Sequence, residues 1–92
     1  MKSTSYLPAV VRAKYVSGFL LDVTFDDGTR KVIDFSKWLK GPVFRSLRKI
    51  DYFKRFFIDS DTVVWPNGAD IAPETLYAAQ DVKKRAPAHS KP

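Results

Sequence analysis

Residues 65–77, Trp65-Pro66-Asn67-Gly68-Ala69-Asp70-Ile71-Ala72-Pro73-Glu74-Thr75-Leu76-Tyr77, constrain the fold more than any other stretch. Val63, Val64 and Trp65 favour a strand. Pro66 has no N–H for a ladder and ends the pairing. Asn67-Gly68 suits a tight turn, because glycine adopts positive φ without steric cost. Pro73 opens a helix that should run through Leu76 and Tyr77 to about Gln80, with its fixed φ at a position that needs no amide. Ala72 is a poor cap, so Asp70 or Glu74 is expected to accept the free amides of the first turn, where negative charge also suits the helix dipole. The predicted unit is strand, turn, helix.

The chain ahead of it predicts a meander. Residues 9–16 alternate as a strand, with Val11, Ala13 and Tyr15 on one face and Arg12 and Lys14 on the other. Ser17-Gly18 makes a turn. Residues 19–25 form the clearest strand, placing Phe19, Leu21, Val23 and Phe25 on one side. Asp26-Asp27-Gly28 signals a hairpin and residues 29–35 return. A two-residue loop pairs Val23 with Val32, and a three-residue loop with a bulge pairs Leu21 with Ile33. The mixed run Val32-Ile33-Asp34-Phe35 does not choose between them.

A helical stretch in pieces follows. Ser36 can cap a short turn holding Trp38 and Leu39, ended by Gly41 and Pro42. From Pro42 a second helix should bury Val43, Phe44, Leu47 and Ile50 as one stripe. Asp51 can cap a further turn with Tyr52, Phe53 and Phe56 inward. Residues 57–65 predict two short strands around Asp59-Ser60-Asp61. The expected organisation is a flexible N-terminus over 1–8, one α+β domain over 9–80, and a disordered basic tail over 81–92. The fold class is a small α+β domain: a three-stranded antiparallel meander plus a short hairpin, packed with short helices. An unpaired strand edge leaves a homodimer or strand addition by a partner open.

The 92 residues allow one modest core. The absence of cysteine excludes disulfides and thiolate chemistry. No apolar run is long enough to span a bilayer and no signal-peptide pattern is present, so the expected location is cytoplasmic, with no membrane partner. The formal charge of +6 is unevenly spread. Lys37, Lys40, Arg45, Arg48, Lys49, Lys54 and Arg55 face only Asp51 in their segment. Lys83, Lys84, Arg85 and Lys91 repeat the bias in the tail. Such a surface suits an anionic partner, a nucleic acid or an acidic protein face, and otherwise reads as a solvated exterior.

Reaction chemistry is not visible. His89, the single histidine, falls in the expected tail, away from any nucleophile. Asp59, Asp61, Asp70 and Glu74 offer oxygen ligands without the rest of a calcium loop, so neither metal nor cofactor is expected. Trp38, between Lys37 and Lys40, reads either as a base-stacking side chain or as core. Trp65 reads as core.

Taken in order, Tyr15, Gly18, Leu21, Val23, Phe25, Asp27-Gly28, Val32-Ile33-Asp34, Pro42-Val43-Phe44, Leu47, Phe53, the run from Val64 through Glu74, and Leu76-Tyr77 resemble the bacterial domain of unknown function 2442. The similarity covers roughly residues 9–78, and its most specific part is Trp65-Pro66-Asn67-Gly68-Ala69-Asp70. The resemblance implies a small α+β domain, often encoded beside another small gene and suggested to be the antitoxin-like half of a pair. Some members carry a helix-turn-helix domain that this chain lacks. The family has no catalytic residues to carry over, and the stretch after Gln80 lies outside it.

The expected function is therefore a non-enzymatic protein-interaction module, antitoxin-like or an accessory regulatory subunit of a bacterial two-gene pair. Its contacts would be Lys37, Lys40, Arg45, Arg48, Lys49, Lys54 and Arg55. The alternative is nucleic-acid binding through the same cations and the tail. Trp65, Pro66, Asn67, Gly68, Asp70, Pro73, Glu74 and Tyr77 are assigned to structure.

Overall fold

The computed structural model describes residues 7–82. Three antiparallel strands, β1 (Val10–Ser17), β2 (Leu20–Phe25) and β3 (Arg30–Asp34), form a sheet in the order β1-β2-β3. A second hairpin joins β4 (Phe57–Asp59) to β5 (Thr62–Val64). Between them lie two 3-10 turns, Ser36–Trp38 and Arg45–Arg48, and a one-turn helix α1 (Ile50–Phe53). Helix α2 (Pro73–Ala78) follows the second hairpin. The α+β class, the meander and the short hairpin are as the sequence predicts.

The β2–β3 register is the three-residue one: Leu21 faces Ile33 and Asp22 faces Val32. The loop decides it. Gly28, at φ +92°, donates its amide to the Phe25 carbonyl, and Phe25 N–H reaches Thr29 O at 2.8 Å. The Asp27 carboxylate accepts Thr29 N–H at 2.8 Å. Residues 65–69 repeat this geometry. Gly68, at φ +90°, donates to Trp65 O, Trp65 N–H reaches Ala69 O, and the Asn67 side chain accepts Ala69 N–H. One five-residue turn is thus used twice, each time after a buried aromatic, Phe25 or Trp65.

Strand β1 departs from simple alternation. A bulge between Val10 and Arg12 puts Val10 in the core beside Phe25 and leaves Val11 exposed, so Val11 does not share the inner face with Ala13 and Tyr15. Strand β4 packs beside β1, and Val10 N–H donates to Asp61 O. The Ser60-Asp61 turn holds both residues at positive φ, which suits a tight hairpin.

The helical pieces correct three expectations. Ser36 is not a cap: Asp34 accepts both its amide and its hydroxyl, at 2.9 and 2.7 Å. Asp51 lies inside the first turn of α1 and makes no cap hydrogen bond. Residues 42–50 are not one helix. A turn, a 3-10 turn and an extended Lys49 (ψ 124°) break the 3.6-residue period. Leu47 is buried and Phe44 half-buried, but Val43 and Ile50 face solvent.

The core sits between the inner sheet face, α1, β5 and α2. Trp65 is fully buried, within 6.0 Å of the Phe35 ring and 5.7 Å of the Phe53 ring, and its Nε1–H donates to Phe53 O at 2.8 Å. The contacts continue past Gln80, the expected end of the domain. Asp81 accepts Val32 N–H at 3.1 Å, and Lys31 Nζ donates to the carbonyls of Tyr77 and Ala79. This clasp covers the outer edge of β3. The expected tail beyond Val82, and residues 1–6, lie outside the described residues.

Candidate functional site

The motif residues separate into two groups. Trp65 anchors the core. Pro66 occupies the second position of the five-residue turn and Gly68 its left-handed position. Asn67 serves the turn through its oxygen and donates Nδ2–H to Val43 O at 3.1 Å, tying the 42–44 segment to the motif. Tyr77 packs edge-on against Phe25 at 5.0 Å and donates its hydroxyl to Asp27 at 2.6 Å. It thereby joins α2 to the first of the paired turns.

Asp70 and Glu74 form the second group, and here the expectation fails. Neither caps α2; its N-cap is Ala72, without any side-chain hydrogen bond. The reason is local. Pro73 has no amide to satisfy, and the Thr75 and Leu76 amides both reach Ala72 O. The Asp70 backbone is held in a bridge to Val64. Both acids are exposed. Glu74 borders a shallow recess of about 460 Å³ with Lys37, Trp38, Thr75, Ala78 and Ala79.

The predicted contact cations are all exposed, but their settings differ. Lys37 lies over the Trp38 ring, Lys54 over Tyr15 and Arg55 over Tyr52, with the cations 5.0 to 5.7 Å from the ring centroids. Arg48 Nε–H donates to Leu39 O at 2.8 Å, so its side chain braces the loop before the 3-10 turn. Lys40, Arg45 and Lys49 make no such contact and alternate along the chain with the exposed Val43 and Ile50. Trp38 is half-buried, edge-on to Phe35 at 5.2 Å.

Among the described residues, no three His, Asp or Glu side chains assemble as a metal-holding group, so Asp59, Asp61, Asp70 and Glu74 do not converge. His89 lies outside the described residues. Among the described residues, two charged groups are shifted. Asp27 is held below the usual carboxylate range, first by the Tyr77 hydroxyl and then by the Thr29 amide. Arg30 is raised by its hydrogen-bonded ion pair with Asp22, at 2.8 Å. Neither shift poises a group for proton transfer near neutrality. No helix among the described residues is long and apolar enough to cross a membrane.

Sequence reasoning missed three features: the Lys31 clasp, the Tyr77–Asp27 link and the state of the outer sheet face. The first two join residues 46 to 50 positions apart, with no local signal. The third was legible in part, since Val16, Leu20 and Val32 fall on the outward side of the alternation.

These features define a small α+β domain whose distinctive motif is spent largely on two matched turns and an aromatic core. Over residues 10–81 the chain matches the model of a protein family of unknown function, DUF2442, and it belongs to that family. Neither a curated protein nor a solved structure matches it.

Proposed function

We propose that this domain is a non-enzymatic protein-interaction module that binds an acidic protein partner through residues 40–50. The carrying observation is the exposure of Val43 (56%) and Ile50 (36%) among Lys40, Arg45 and Lys49. A break in the helix leaves these side chains outside, where they add nothing to the core. Exposed apolar side chains interspersed along the chain with exposed cations favour a protein face with both apolar and acidic groups, because phosphates would leave the apolar side chains unused. Lys37, Lys54 and Arg55 extend the charge and are pre-ordered on their rings, which lowers the entropy lost on contact. The partner as an adjacent-gene product, and an antitoxin-like or regulatory role within a bacterial pair, rest on the family resemblance alone.

Affinity capture from lysate, with and without nuclease, tests this reading. Wild-type protein is expected to retain a protein partner after nuclease treatment, and the Val43→Ser/Ile50→Ser variant to lose it while melting unchanged. Capture that vanishes with nuclease refutes it.

A second reading, nucleic-acid binding, is favoured by the same cations standing against a single local acid, Asp51. It requires affinity for oligonucleotides that falls steeply with salt, with a flatter slope in the Arg48→Ala/Lys49→Ala/Arg55→Ala variant.

A further inference from the structure

We propose that the outer face of the β1–β2–β3 sheet docks an acidic amphipathic helix of a protein partner. The inner face is closed by α1, β5 and α2, whose Phe53, Val63 and Leu76 share a core with Leu21, Val23, Phe25 and Ile33. The outer face carries a hollow of about 570 Å³, lined by the apolar Val16, Leu20, Val32 and Val82, by Lys14 on β1 and by Asp22 on the central strand. Val16, at the register shift of β1 between Tyr15 and Ser17, is 46% exposed. The pairing register sets Lys14, Asp22 and Val32 in one cross-strand row and Arg12, Thr24 and Arg30 in the next. An apolar floor therefore meets a cationic flank.

The acids of this face are already engaged. Asp22 is bound by Arg30, and Asp34, opposite Leu20, holds Ser36. Arg12 and Lys14 are exposed. Val82 at the hollow is followed in the sequence by Lys83, Lys84 and Arg85. A second copy would set like charges against each other, and the chain's own basic continuation has the wrong sign to fill the hollow. Three strands span roughly 10 Å, which matches the diameter of one helix. A helix with an aliphatic stripe and flanking Asp or Glu satisfies both the floor and the flank. This inference rests on the reading of the domain as a protein-binding module, but it concerns a different face from Val43 and Ile50.

The test is a selection on the full chain from a displayed library of helices about 16 residues long. The library fixes an aliphatic stripe at i, i+3, i+4 and i+7 and randomises the flanking positions. Selected peptides are then made synthetically and added to isotope-labelled protein. The expected result is enrichment of Asp and Glu at the flanks, with amide shifts centred on Val16, Leu20 and Val32. Affinity should fall at least about tenfold in Arg12→Glu/Lys14→Glu. Because those residues are exposed, the variant should keep its melting temperature; Val16→Ser supplies a second variant with the same expected direction. Val43→Ser/Ile50→Ser should bind these peptides unchanged, so failure here is distinct from failure of the capture experiment. An absence of binders, flanks that are neutral or basic, or shifts centred on residues 40–50 would each overturn the proposal.

Discussion

At the scale of single residues, Tyr77 and Asp27 show how distant side chains lock the fold. The Tyr77 hydroxyl and the Thr29 amide favour the ionised Asp27 carboxylate, so its folded pKa lies below its unfolded one. That sign means the contribution is fully present above the unfolded value and is lost as pH falls through the folded one. Replacing Tyr77→Phe should move the Asp27 titration upward by carbon-detected NMR and flatten the acid side of the stability profile. An unchanged titration would dissociate the two residues. Trp65 was legible as core because it follows two β-favouring valines and precedes a proline. Asp27 was legible only as a turn residue, since nothing near it in sequence announces Tyr77. For Asp70 and Glu74, cap propensity misled: Pro73 had already removed one of the amides a cap would serve, and Ala72 O took two more.

Among the elements, the turns are the determinants. The period-2 pattern of β2 fixed its faces, and Leu21, Val23 and Phe25 are buried as predicted. The register of its partner needed the left-handed Gly28, which alternation alone cannot supply. Across residues 42–50 a helical period was imposed on apolar residues that occupy separate turns, so Val43 and Ile50 were placed on the wrong side. The β4–β5 turn carries a local cost, because Ser60 and Asp61 both sit at positive φ, at 52° and 70°. Asn and Gly tolerate that region better. The Ser60→Asn/Asp61→Gly variant should gain about 0.5–1 kcal/mol, read as a higher denaturant midpoint at constant slope. Loss of stability would show that the Asp61 side chain does unseen work.

Over the whole molecule, the three-stranded sheet is closed on one face and edge-clasped at β3. Lys31 lies half-buried over the Tyr77 ring, donating to the carbonyls of Tyr77 and of Ala79 just past α2, and Asp81 takes the Val32 amide. Cations near the carbonyl end of a helix are favourable, and these hydrogen bonds are charge-assisted. Lys31→Met should therefore cost about 1–2 kcal/mol and speed hydrogen exchange at Val32. Unchanged exchange there would remove the clasp from the account. A cation at this position was invisible to charge counting, which treats every lysine as surface.

Thermal unfolding of two variants side by side bears most directly on the division between motif and surface. Asn67→Ala removes the turn acceptor and the tie to Val43, and should lose about 1–2 kcal/mol, visible as a clear drop in Tm. Val43→Ser/Ile50→Ser should melt with the wild type, because those side chains are exposed and lie outside the core. The reverse pattern, an Asn67 variant as stable as wild type beside a collapsed Val43/Ile50 variant, would contradict the assignment of fold to the motif and binding to residues 40–50.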